Sequence, residues 1–169
     1  MFLFHAFRDF VVVLLAMSGV DVPMRHDAVH QFESLSPIEV YVAVEALRAD
    51  VDPALALAIV YQESRFLPSA ASPTRDFGLF QLHCGRRFSW CRKFGVSPGQ
   101  LLEPRLNVAL GLEVVRTCAE RAERCTNGAC PHLLYYFNRS DTYRRSVLRH
   151  AERYRRLLGG FLPLYDSIS

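Results

Sequence analysis

The chain holds one lysine, Lys93, against nineteen arginines, and one tryptophan, Trp90. It has no C-x-x-C pair and no histidine at finger spacing, which argues against a structural zinc module. His83 beside Cys84 is the nearest approach to a metal pair, and adjacent residues rarely both face one ion, so no metal and no cofactor is expected. Internal repeats and low-complexity tracts are absent, and with 22% charged and 12% aromatic residues global disorder is disfavoured. The apolar run near the start, Phe10 to Met17, is too short, and its flank too interrupted by His5, Arg8 and Asp9, for a stable membrane span. A net charge of +3 excludes a polycation, and no nucleic-acid-binding motif is found, so no nucleic acid is expected as a partner.

What is present is 169 residues, half of them hydrophobic, enough for one domain with one core. Arg8, the apolar Phe10–Met17 run and the small residues Ala16 and Ser18 read as a cleavable signal peptide over 1–18, hence an exported protein in the periplasm or cell envelope. The alternative is an N-terminal helix packed on the core. Residues 19–35 read as a lead-in, 36–158 as the folded domain and 159–169 as a C-terminal tail. Five cysteines (Cys84, Cys91, Cys118, Cys125, Cys130) fit an oxidising compartment, with two bridges and one leftover thiol the simplest arrangement.

The pattern is mainly α. Ser36, Pro37 and Glu39 write a helix start with a capping box, and the stripe through Ile38, Val42 and Leu47 ends near Asp50. Asp52-Pro53 starts a second helix, Ala54 to Arg65, with Ala56, Ile59 or Val60, and Glu63 on one face. Asp76 to His83 contains Gly78 and reads as a short strand or turn, so at most a small hairpin is expected. Cys84 to Gly99 reads as surface loop around one short helix. Glu103-Pro104 opens a third long helix to about Arg121, with Asn107, Gly111, Val114 and Cys118 on one face and Gly111 marking a close helix–helix approach. A turn at Thr126 to Gly128 and a short aromatic helix, His132 to Asn138, precede a last helix through Leu158. The inward stripe of that helix is Tyr143, Val147, His150 or Ala151, Tyr154 and Leu158. Its arginines lie opposite and read as a solvated face.

Glu63 stands out chemically. A glutamate at a helix C-terminus in a half-apolar setting has its ionised form disfavoured by the helix dipole and by desolvation. That keeps a proton available near neutral pH, as a general acid needs for a glycosidic leaving oxygen. Asp76 is the candidate second carboxylate, since glycoside cleavage usually pairs two acids. Gln81 offers an amide to a sugar, and Phe80, Tyr135, Tyr136 and Phe137 suit a sugar groove, although for any single one of them a core position is the plainer reading.

In order, Glu63-Ser64, Gly78-Leu79-Phe80-Gln81, Asn107 to Gly111, Phe137-Asn138 and Tyr143 to Val147 resemble the catalytic domain of the lytic transglycosylases. The chain is similar to the soluble type, and especially to small specialised members that accompany secretion, conjugation or pilus machines. The resemblance covers roughly Ser36 to Tyr154. It implies a lysozyme-like α-rich single domain acting on peptidoglycan glycan strands between N-acetylmuramic acid and N-acetylglucosamine. Its single catalytic glutamate maps onto Glu63, which protonates the leaving oxygen and then acts as base while the muramyl 6-hydroxyl closes a 1,6-anhydro end. Ser64 and Gln81 map onto its site-lining polar positions and Asn138 onto the asparagine of its Tyr-Asn pair, and Phe80, Tyr136 and Phe137 are candidates to bind substrate beside them.

Two departures bear on activity. Phe137 stands where the family usually has tyrosine, so the phenol expected beside the glutamate is missing, and Tyr136 on a helix points about 100° elsewhere. Arg139-Ser140 replaces the usual small pair. Asp76 to Gln81, with Trp90-Cys91 following, also resembles animal-type lysozymes, in which the matching aspartate is catalytic. A water-using muramidase relying on Glu63 and Asp76 is therefore one alternative, and a weakly active wall-binding or assembly protein on the same scaffold is another.

Overall fold

A computed structural model describes residues 35–86, 89–124, 134 and 137–158. The expected signal peptide, most of the lead-in, the C-terminal tail, the Thr126–Gly128 turn and most of the short aromatic helix lie outside the described residues. Where the chain is described it is helical, with one two-stranded hairpin.

Helix α1 spans Pro37–Arg48 and starts on the capping box read from the sequence. The Ser36 amide and hydroxyl both donate to Glu39 Oε2, at 2.8 and 2.7 Å, while the Glu39 amide donates back to Ser36 Oγ. Helix α2, Pro53–Ser64, starts where Asp52 accepts from the amides of Ala54 and Leu55. Ala54, Ala56, Leu57, Ala58, Ile59 and Val60 are all sealed from solvent. A helix apolar all round belongs in the middle of a fold, and α2 is packed by α1 and by the C-terminal helix. It stops at Arg65, whose left-handed backbone (φ 54°) cannot continue the helix.

Strands β1 (Asp76–Phe77) and β2 (Leu82–His83) pair antiparallel, Asp76 opposite His83 and Phe77 opposite Leu82. Helix α3 (Trp90–Phe94) is tied to this hairpin by the Cys84–Cys91 disulfide. Cys118 is a free, buried thiol, and Cys125 and Cys130 lie outside the described residues. A 3-10 turn, Gln100–Leu102, leads into α4, Pro104–Glu123. Asn107, Val114 and Cys118 form the buried face of α4 that the spacing predicts. Gly111 has a different reason from the expected helix–helix approach. A Cβ there would sit 2.2 Å from the Phe80 ring, so the missing side chain makes room for the hairpin loop.

The last helix, α5, spans Asp141–Leu158 and buries Tyr143, Val147, Ala151, Tyr154 and Leu158. It lies along α2, where Ser146 Oγ donates to Gln62 Oε1 at 2.7 Å and Arg155 pairs with Asp52 at 2.7 Å. Tyr154 donates its hydroxyl to Glu39 Oε1 at 2.9 Å, which adds α1 to the same contact. No helix among the described residues is long and apolar enough to cross a membrane.

Candidate active site

A cleft of about 370 Å³ opens where the end of α2, the hairpin, α3, α4 and the start of α5 converge. Its lining includes Glu63, Asp76, Phe80, Gln81, His83 and Trp90, with Phe137 and Asn138 on the side leading into α5. Residues far apart in sequence are brought together because the hairpin is clamped onto α4. Gly78 turns the loop with φ 75°, and its Cα approaches so closely that a Cβ would lie 2.2 Å from both Asn107 Nδ2 and the Leu101 carbonyl. Fully buried Asn107 then satisfies its whole amide. Oδ1 accepts from the Phe80 amide at 2.8 Å, while Nδ2 donates to the Phe77 and Leu101 carbonyls at 2.9 and 2.8 Å. Phe80 is thereby fixed as the floor of the cleft.

Glu63 sits one residue before the end of α2, and Tyr143 donates its hydroxyl to Glu63 Oε1 at 2.5 Å. Burial raises the Glu63 pKa from 4.5 to about 7, the Tyr143 hydrogen bond holds it down somewhat, and the negative field of Asp76 adds to the rise. Burial first, then the Glu63 carboxylate, raises the Tyr143 phenol well above its ordinary range, so Tyr143 remains a donor. The phenol expected to be missing at Phe137 is therefore present, supplied six residues later by the first turn of α5. The sequence reading had placed Tyr143 on the inward stripe without assigning it this partner. The eighty-residue separation hid the pairing, although the position of Tyr143 on the first inward turn was the signal for it.

Asp76 shares the cleft with Glu63 but is differently furnished. Ser72 Oγ and Thr74 Oγ1 donate to Oδ2 at 2.6 and 2.5 Å, and His83 Nδ1 lies 2.7 Å from Oδ1. Burial opposes its ionisation, yet the Ser72, Thr74 and His83 bonds outweigh burial and hold its pKa below the ordinary value. The two carboxyls are thus pushed in opposite directions, Glu63 toward the acid and Asp76 toward the carboxylate. Ser72, Thr74 and His83 were not among the sequence candidates.

The remaining candidates divide. Gln81 lines the cleft at φ 46° and donates Nε2 to the Ala70 and Gly78 carbonyls at 3.1 and 2.8 Å, so both amide hydrogens hold the loop. Asn138 lines the cleft on an exposed turn, with Oδ1 accepting from the Ser140 amide at 2.9 Å. Phe137 lines it half-buried. Ser64 does not join them: it is buried, and its hydroxyl donates to the Val60 carbonyl at 3.2 Å one turn back in α2. Tyr136 lies outside the described residues. No group of three or more His, Cys, Asp or Glu side chains among the described residues is placed to hold a metal ion.

A half-buried acid that holds its proton near neutrality, a phenol that orients it and an apolar floor under a polar rim are suited to protonating a leaving oxygen. Comparison with curated proteins and with solved structures gives no match. The family model described as the transglycosylase SLT domain matches residues 41–130, which is 90 of the 169 residues, just over half of the chain. That span runs from α1 through the hairpin and α4 and carries Glu63, Asp76, Gln81 and Asn107. The chain belongs to the transglycosylase SLT domain family, as a lytic transglycosylase catalytic domain.

Proposed function

We propose that the protein cleaves the β-1,4 bond between N-acetylmuramic acid and N-acetylglucosamine in peptidoglycan and leaves a 1,6-anhydromuramyl end. The observation that carries this reading is Glu63, half-buried in the cleft with the Tyr143 hydroxyl on it and a pKa raised to about 7. Protonated Glu63 gives its proton to the glycosidic oxygen as the C1–O4 bond breaks. The resulting carboxylate then takes the proton of the muramyl 6-hydroxyl, whose oxygen bonds to C1, and Glu63 is returned protonated. Both partners of the second step belong to one sugar, so holding that sugar correctly supplies much of the rate. Fully buried Phe80 supports the cleft from below, while the Gln81 amide oxygen and the Asn138 amide NH₂ are the halves not used in the loop's own bonds and are left for the sugar.

Asp76 serves here as a fixed negative charge and a brace of the hairpin. Its bonds to Ser72, Thr74 and His83 favour that role over direct attack at C1. Digestion of purified sacculi, followed by weighing of the muropeptides, tests the reading. Anhydro ends support it; reducing ends would move the function to a hydrolytic muramidase. Release of nothing by wild type would leave a wall-binding or assembly protein. We also propose export through the 1–18 segment, testable as an N-terminus beginning after Ser18 in the envelope fraction. The likeness to specialised members suggests service beside a secretion, conjugation or pilus machine.

A further inference from the structure

Helix α5 carries Arg145, Arg149 and Arg153 at four-residue steps, all three exposed. Such steps place them on one side of the helix, where like charges repel and cost helix stability. Just past the end of α2, Arg65 is exposed, with its guanidinium 4.0 Å above the centre of the Tyr61 ring. Tyr61 in turn meets the His150 ring at 4.4 Å. Arg149 precedes His150 and Arg153 follows it by three residues, about one helical turn, and burial, then the positive fields of Arg65, Arg149 and Arg153, holds the His150 pKa below its ordinary value. Among the described residues no carboxylate pairs with Arg65, Arg149 or Arg153. Neighbouring acids are engaged elsewhere: Glu39 by Ser36 and Tyr154, Asp52 by Arg155, Glu152 by Arg156.

We propose that Arg65, Arg149 and Arg153 form a binding site for the ionised carboxylates of the peptide branches on a peptidoglycan strand. The site rests on the wall-cleaving reading above and adds to it a preference for peptide-bearing substrate. Its position is set by α5. Tyr143 touches the catalytic acid at one end, and at 1.5 Å per residue Arg153 lies about 15 Å farther along. A group held there stands apart from the sugar at Glu63, as a peptide branch would. Guanidinium forks match carboxylates in two parallel hydrogen bonds, and the Tyr61 and His150 rings give the cluster an apolar floor.

The test uses the full chain carrying Glu63→Gln, which binds without turnover. Its affinity is measured for glycan strands bearing peptides, for the same strands with carboxylates amidated, and for strands stripped of peptide by an amidase, which keep the muramyl lactyl carboxylate. Amidation and stripping are each expected to weaken binding by about fivefold to tenfold, the scale of two exposed charge pairs. Adding Arg149→Ala and Arg153→Ala should make the three ligands bind alike, and the two lysine substitutions should restore part of the difference. The proposal is overturned if the arginine-deficient protein still discriminates, or if stripping has no effect. Equal arginine-dependent binding to vesicles rich in anionic lipid would also overturn it, as a general affinity for negative surfaces. Failure of the underlying reading looks different: no strand is bound by the Glu63→Gln protein and none is cleaved by wild type, and both proposals fall together.

Discussion

Burial is the largest influence on the Glu63 carboxyl. The half-apolar setting expected from the sequence is realised as desolvation, and the negative field of Asp76 adds to it. The shift has a stability consequence with a definite sign. A carboxyl whose folded pKa is about 7 against an ordinary 4.5 favours the folded state fully below 4.5, and this is lost as pH rises to 7. About 3 kcal/mol is at stake. Glu63→Gln, which cannot ionise, should therefore gain thermal stability relative to wild type as pH rises from 4.5 to 8. A constant difference in melting temperature across that range would refute the burial argument. Tyr143→Phe and Asp76→Asn should move the alkaline limb of activity in opposite directions. Losing the Tyr143 bond raises the Glu63 pKa further and slows cleavage about tenfold, the worth of one well-placed hydrogen bond. Losing the Asp76 charge lowers that pKa and leaves the rate at the optimum little changed. A large loss of rate with Asp76→Asn would instead favour the two-carboxylate mechanism.

At the scale of elements, the hairpin and α4 form one unit through Asn107. Gly78→Ala combines a left-handed backbone position with two contacts at 2.2 Å, and should destabilise the fold by more than about 2 kcal/mol, read from chemical denaturation. Reduction of Cys84–Cys91 should cost about 2 to 3 kcal/mol through the short loop it closes, read as a fall in melting temperature with thiol reagent. Helix starts were legible in the sequence because each is written in three or four adjacent residues: Ser36 to Glu39, Asp52-Pro53 and Glu103-Pro104. Glu63 was legible for a similar reason, as a lone acid closing an apolar helix. What stayed hidden depends on partners distant in the chain. Gly111 answers to Phe80 instead of another helix, Ser64 turns inward, and Tyr143 supplies the phenol that Phe137 lacks. Periodicity shows that such a residue faces inward, but not what it meets there.

Across the whole molecule, α2 is the support on which the site depends. It is sealed between α1 and α5, and it ends where the cleft begins. The contacts that hold α5 to it run from Tyr143 on Glu63, past Ser146 on Gln62 and His150 on Tyr61, to Arg155 on Asp52. The first of these is also the contact that orients the acid, so stability of the helical pair and competence of the site are coupled. The isolated ion pair at the far end contributes little by comparison. The central claim, a single glutamate kept protonated by this packing, is tested most directly by the pH dependence of the initial rate of anhydromuropeptide release under subsaturating substrate. The account predicts a rate that falls as pH rises through about 7, with no release at any pH by Glu63→Gln. A rate limb near 4.5, or activity retained by Glu63→Gln, would contradict it.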